Sequence, residues 1–168
     1  MSGGTEQLTY YLSGDYENED GVYRLPEFEE DSVAETRGTV PDHQLRPNTL
    51  ERVSLRANLG ANVSAHADIQ ANVGYISSDA RFVENDNSFL TITGSAEASG
   101  LPEDVNRGWF FIPAELFAQR NTQSTERFIS GLTGNWRPLS WLTTRATLGY
   151  DVTNRQDSRN CEWQQQGM

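Results

Sequence analysis

Few side chains in this sequence are of the kinds that carry out catalysis. The two histidines, His43 and His66, lie in turn-rich segments, and no G-x-S-x-G or H-E-x-x-H motif surrounds either of them. A glycoside hydrolase would need two carboxylates roughly 5 to 10 Å apart in a cleft, whereas the acidic residues fall mostly between the periodic segments. The sequence therefore predicts a protein that is not an enzyme and that uses no cofactor.

A group of carboxylates before Gly21 has the composition of a calcium site, since Ca²⁺ prefers several carboxylate oxygens in a flexible turn. Its members are Asp15, Glu17, Glu19 and Asp20. The spacing does not match the EF-hand loop, because the glycine is misplaced and the twelfth position is Pro26. Cys161 is the only cysteine, which excludes a multi-cysteine metal site. We interpret this group, and the acidic run from Glu27 to Asp31, as solvated surface charge.

Two sets of residues are candidates for binding a ligand. Trp109, Phe110 and Phe111 form an aromatic cluster that could stack on sugar rings, although packing of their loop against its neighbours is the favoured alternative. Arg52, Arg56 and Arg145 lie on the polar side of periodic segments, where they could contact anionic groups of a substrate or pair with nearby carboxylates. The residue types leave both pairs of alternatives open.

The element that must position these side chains is a β-hairpin. Between residues 50 and 78, apolar and polar residues alternate with period 2, from Val53 to Val63 and again from Ala67 to Tyr75. A run of about eleven such residues is longer than an ordinary globular strand. When tilted, it spans the apolar band of about 25 Å of an outer-membrane barrel.

The same alternation predicts an all-β fold, an antiparallel meander of about five long strands. The strands are expected near residues 6–17, 50–63, 67–78, 126–136 and 141–153. Tight turns are expected at Ser64 to His66 and at Arg137 to Ser140, where Pro138 fixes the backbone. Long connections fill residues 18–49 and 79–125, with no periodic segment in the first and a short helix from Pro113 to Gln119 in the second.

Composition agrees with strands that bury only one face. Hydrophobic residues make up 36% of the 168 residues and the mean hydropathy is -0.65, a profile typical of transmembrane barrels with a wet lumen. The net charge of -11 argues against a nucleic-acid partner, which would call for a basic surface. No apolar run is long enough for a transmembrane helix, and the first ten residues do not resemble a signal peptide.

Long connections that alternate with tight turns are typical of outer-membrane barrels, whose outer loops are long and whose periplasmic turns are short. We therefore expect the two tight turns at the periplasmic end and both long loops outside. The aromatic residues fit two interfacial girdles, with Trp136 and Trp141 at one end and Tyr16, Tyr75 and Tyr150 at the other. Ordinary aromatic enrichment in strands is the alternative explanation.

Three segments resemble the barrel of SusC/RagA-type TonB-dependent transporters: Tyr10 to Tyr16, Glu51 to Leu59 and Asn135 to Leu142. The resemblance covers residues 6 to about 155. It implies a 22-stranded barrel in the outer membrane, in contact with lipid, that imports oligosaccharides or peptides. It also implies a plug domain driven by the TonB complex and a SusD-like lipoprotein as partner. Because no plug and no TonB box are present in these residues, the resemblance implies that the chain is a piece of a longer protein.

A secreted or surface β-sandwich that binds carbohydrate is the alternative. A sandwich packs two sheets face to face and uses short strands. The strands expected here are long, and their apolar faces are rich in alanine and glycine. These features favour the barrel.

Overall fold

The part of the chain that the structure describes is one antiparallel β-sheet with three short helices in its connections. The computed structural model describes residues 1–83 and 113–161. Six strands follow one another in a meander, each hydrogen-bonded to the next: β1 (Ser2–Gly4), β2 (Leu8–Asp20), β3 (Thr49–Ser64), β4 (Ala67–Phe82), β5 (Gln119–Leu139) and β6 (Leu142–Cys161). The predicted all-β meander is confirmed. The structure adds the short strand β1, whose Ser2 lies opposite Tyr11 of β2.

The strands are longer than the alternation predicts. β4 continues to Phe82, β5 begins at Gln119 and β6 continues to Cys161. The turn predicted at Arg137 to Ser140 is shorter, because Pro138 lies within β5 and the reversal occurs at Ser140 and Trp141. The Arg137 amide donates a hydrogen bond to the His66 carbonyl at 2.7 Å. Pro138 is the next residue and lies at the end of β5, where a proline without an N–H is tolerated.

The connection at residues 18–49 contains helices, so the expectation of no periodic segment there is wrong. Helix α1 (Glu27–Arg37) follows Pro26 and ends at Gly38, whose φ of 80° is the left-handed conformation common after helices. Helix α2 (Asp42–Leu45) follows Pro41 in the same way. Prolines interrupt the sequence here because they precede helices, where their fixed φ and missing N–H cost little.

The helix predicted from Pro113 to Gln119 is confirmed as α3 (Pro113–Phe117), but it ends earlier, because Gln119 already begins β5. None of the helices in the described part of the chain has the length and apolarity needed to cross a bilayer.

The chain divides into two compact units. The sheet unit comprises Met1–Glu17, Arg52–Ser78 and Ser124–Arg155. The helical unit comprises, among the described residues, 18–51, 79–83, 113–123 and 156–161. Each unit is organised by a different kind of contact: cross-strand pairs hold the sheet unit, and a small apolar core holds the helical unit.

The core of the helical unit consists of Leu25, Val83, Ala114, Leu116 and Phe117, with four partly buried residues packed on it: Tyr23, Val33, Val40 and Leu45. Two polar side chains are buried beside this core. Glu29, expected to be surface charge, is only 4% exposed and accepts a hydrogen bond from the Ala114 amide at 2.6 Å. Gln44 is 1% exposed and donates to the Ala114 carbonyl at 2.8 Å. The Glu27 to Asp31 run is therefore the first turn of α1, with one member facing inward.

The entry to this unit has no room for a side chain at Gly21. The Gly21 amide donates to the Asn48 carbonyl at 2.8 Å, and a Cβ added to Gly21 would collide with the Asn48 Cβ. Gly21→Ala should therefore cost about 1 to 3 kcal/mol, because a Cβ cannot rotate away. Faster hydrogen exchange in the Gly21→Ala variant, in peptides covering residues 18–25 and 41–49, would show this loss of stability. Gly134→Ala is the control, since no described heavy atom lies within 4 Å of its added Cβ; equal exchange in both variants would contradict the prediction.

Candidate functional site

The two faces of the sheet unit are chemically distinct, and cross-strand contacts confirm the predicted alternation. On the apolar face, a Cβ added at Gly14 would lie 3.3 Å from the Leu55 side chain, and the rings of Phe128 and Tyr150 lie 6.3 Å apart. On the polar face, Arg52 pairs with Glu17 at 2.9 Å. Each of these contacts joins residues that the alternation assigns to the same face.

The apolar face is open to the surroundings. Leu55 is 52% exposed, Leu59 47%, Val63 63% and Leu148 71%. In each long strand, the residues of the apolar face form one window without a charged or amide side chain, at residues 8–16, 53–63, 67–77, 128–138 and 142–152. These windows are 9 to 11 residues long, although the strands have 13, 16, 16, 21 and 20 residues.

At the end away from the tight turns, each of the five windows stops at a charged or amide residue on the same face of its strand: Asn18, Glu51, Asp79, Glu126 and Asn154. Aromatic residues mark this boundary. Tyr75 donates a hydrogen bond to the Glu126 carboxylate at 3.3 Å, and Tyr16 and Tyr150 are each 60% exposed. At the turn end, Trp136 is 57% and Trp141 77% exposed. The apolar band thus has the same limits in neighbouring strands.

The polar face carries a network of side-chain hydrogen bonds between strands. Asp68 accepts from Asn135 at 2.6 Å and from Arg137 at 2.9 Å. Arg145 donates to the Asn135 amide oxygen at 2.8 Å. At the opposite end, Arg127 makes a bidentate pair with Asp151 at 2.6 and 3.0 Å. The charged side chains of this network lie towards the two ends of the strands.

Between these charged groups the polar face has an open cavity of about 370 Å³. Six of its lining residues carry uncharged polar side chains, Thr9, Tyr11, Asn58, Gln70, Asn72 and Thr133, and Tyr10, Leu59 and Ala71 also contribute to the lining. Gly60 contributes backbone, and its carbonyl accepts a hydrogen bond from the Thr9 hydroxyl at 3.4 Å. A cavity of this size and lining can bind a polar molecule of one or two sugar rings or a few amino acids.

The predicted site residues have different surroundings. Arg52 is paired with Glu17, and Arg145 is bonded to Asn135. Arg56 is exposed and makes no hydrogen bond or ion pair with the described residues. The aromatic cluster Trp109, Phe110 and Phe111 lies outside the described residues.

In the carboxylate group before Gly21, two of the four acids pair with arginines. Glu17 pairs with Arg52 at 2.9 Å, and Asp20 pairs with Arg46 at 3.1 Å. These arginines neutralise two of the four carboxylates that the calcium hypothesis would use as ligands.

The cavity residues were not predicted as a site, although the sequence contains a signal for them. On the polar side of the hairpin, the uncharged residues Asn58, Gly60, Gln70 and Asn72 lie next in the alternation to the charged Arg56 and Asp68. Thr9 and Thr133 come from strands distant in sequence, and only the strand register brings them together. No protein-family model matches the chain, and no curated protein matches it.

Proposed function

We propose that this chain forms part of the wall of a transmembrane β-barrel in the outer membrane, in a transporter that imports oligosaccharides or peptides. The observation that carries the proposal is the common apolar window of 9 to 11 residues on all five long strands. A transmembrane β-strand needs about 9 to 11 residues to cross the hydrocarbon layer. At the end away from the tight turns, every long strand continues for several residues beyond its window, so side-chain chemistry and not the strand end limits the window there.

The exposed apolar face supports the same conclusion. Large apolar side chains in a continuous surface are costly in water, at about 25 cal/mol per Å². They are at no disadvantage against lipid. The aromatic residues at both limits of the band match the girdles that flank such a surface.

The sandwich alternative receives no comparable support. A sandwich covers the apolar face of one sheet with a second sheet, and residues 1–83 and 113–161 form one sheet, whose apolar face stays exposed. A carbohydrate-binding module would also present its ligand site without the repeated window length.

The polar face then borders the lumen, and its cavity is a place where the imported molecule contacts the wall. The sequence resemblance adds two partners to the proposal. A plug coupled to the TonB complex would supply the energy for transport, and a SusD-like lipoprotein would form a lid at the outer end. These partners would act on the full-length protein.

The proposal predicts an alternating environment along β3. Single cysteines at positions 53 to 63, in a Cys161→Ser background, would carry a fluorophore in the full-length protein reconstituted in phospholipid vesicles. Fluorophores at positions 55, 57 and 59 should be quenched by nitroxide-labelled lipid, and fluorophores at positions 54, 56 and 58 should be quenched by aqueous iodide. Quenching by lipid should be strongest near the middle of the window.

The two faces serve as controls for each other, because neighbouring positions lie in the same strand at nearly the same depth in the membrane and differ only in the face to which they belong. Iodide quenching at all eleven positions, with no effect of labelled lipid, would show that the sheet lies in water and would refute the membrane proposal.

A further inference from the structure

The polar face of the sheet unit has a surplus of positive charge, although the whole chain has a net charge of -11. Its arginines are Arg52, Arg56, Arg127, Arg137, Arg145 and Arg155. Its carboxylates are Asp15, Glu17, Asp68 and Asp151. In an acidic protein, a locally cationic surface favours contact with anionic molecules.

Most of this charge is already neutralised or bonded. Arg52 pairs with Glu17, Arg127 with Asp151 and Arg137 with Asp68, at 2.9, 2.6 and 2.9 Å. Arg145 donates to Asn135. Arg56 differs from these four, because it is exposed and has no partner among the described residues.

The strand register places Arg56 at the border of the cavity. The Asn62 amide donates to the Gln7 carbonyl at 2.8 Å, and this antiparallel register puts Tyr11 opposite Asn58 and Ser13 opposite Arg56. Tyr11 and Asn58 line the cavity. Arg56 follows on the same face, two residues from Asn58, a separation of about 7 Å along the strand. Its long side chain can therefore reach a molecule in the cavity.

We propose that Arg56 and the polar cavity form one subsite for a ligand that carries a carboxylate next to several hydroxyl or amide groups. This inference rests on the proposed function in one respect, since it takes the polar face as the side that ligands reach. It adds the chemical class of the molecule bound there.

The chemistry of the two parts is complementary to such a ligand. A guanidinium binds a carboxylate through two parallel hydrogen bonds. The amides of Asn58, Gln70 and Asn72 can both donate to and accept from hydroxyl or peptide groups. The ring of Tyr11, which is 45% exposed, offers a flat surface for stacking. An acidic sugar and the terminal carboxylate of a peptide both have this combination of groups.

The test is calorimetric titration of the full-length protein in detergent with matched ligands. Trigalacturonate would be compared with its methyl ester, which keeps the hydroxyls and loses the charge. A serine–glycine tripeptide with a free carboxylate would be compared with its amide. We expect one charged ligand to bind about tenfold more tightly than its neutral counterpart, a difference of about 1.4 kcal/mol. The pair that shows the difference identifies the source as sugar or peptide.

Arg56→Gln should abolish this difference while leaving the affinity for the neutral ligand within about twofold, and Arg56→Lys should retain part of it. Arg145→Gln is the matched control, because it removes a charge from the same face at a residue already bonded to Asn135. Arg56 has no partner to lose among residues 1–83 and 113–161, so its variants should fold, and an unchanged circular dichroism spectrum would verify this.

Equal affinity for charged and neutral ligands, binding of none of the four, or equal losses in Arg56→Gln and Arg145→Gln would each overturn the subsite. None of these results would alter the quenching pattern along β3. The subsite and the membrane proposal can therefore fail independently.

Discussion

Replacing Leu59 with arginine is expected to lower the free energy of unfolding of the full-length protein in a bilayer by about 2 to 4 kcal/mol. Leu59 lies near the middle of the apolar window of β3 and is 47% exposed on the sheet surface. If that surface faces lipid, the substitution puts a charge close to the bilayer midplane. If it faced water, an exposed arginine would change stability by about 0.5 kcal/mol or less.

The position along the strand should decide the size of the effect. Val63, at the turn end of the same window and 63% exposed, is more accessible than Leu59. Val63→Arg should nevertheless cost only about 0 to 1 kcal/mol, because the penalty falls towards the interface. Exposure alone does not predict this order; depth in the membrane does.

The measurement is guanidinium unfolding from phospholipid vesicles for both variants. Ser54→Arg provides the control, because it introduces the same side chain in the same strand on the polar face. Equal costs at Leu59 and Ser54 would contradict the assignment of the faces, and a cost at Val63 as large as that at Leu59 would contradict the membrane depth.

The sheet was predictable because the alternation that specifies its strands involves residues close together in the sequence. Period 2 in the hairpin identifies strands, turn and faces from neighbouring residues alone, and contacts such as Arg52 with Glu17 agree with that assignment. Strand ends were less predictable. β5 and β6 continue beyond the apolar window through polar residues that a pattern of apolar faces does not detect.

The helical unit and the cavity depend on contacts between residues distant in sequence. Glu29 resembles its exposed neighbours in α1, and nothing local indicates that its carboxylate meets the Ala114 amide 85 residues later. The cavity likewise joins Thr9 to Thr133. The sequence suggested that Arg56 could bind an anion, but only the pairing of the other arginines distinguishes it from Arg52 and Arg145.

Glu29 is a polar residue of the helical unit where a single substitution should have a large effect. Its carboxylate accepts from the Ala114 amide, a donor in the first turn of α3 that has no helical partner. Gln44 holds the carbonyl of the same residue. Two buried side chains thus fix Ala114 at both its amide and its carbonyl, beside the core residues Leu116 and Phe117.

Glu29→Ala is expected to destabilise this unit by about 2 to 3 kcal/mol, because it removes a hydrogen bond to a charged group and leaves a buried N–H unsatisfied. Hydrogen exchange of the Ala114 amide should accelerate roughly 30- to 150-fold. Glu29→Gln keeps an acceptor oxygen and should lose less. The size of its loss separates the hydrogen bond from the charge.

Glu27→Ala is the matched control, since Glu27 is an exposed carboxylate of the same first turn. Its contribution is limited to the helix dipole and should not exceed about 1 kcal/mol. If Glu29→Ala and Glu27→Ala accelerated exchange at Ala114 equally, the buried hydrogen bond would not hold α3 in place, and the apolar core would have to position that helix alone.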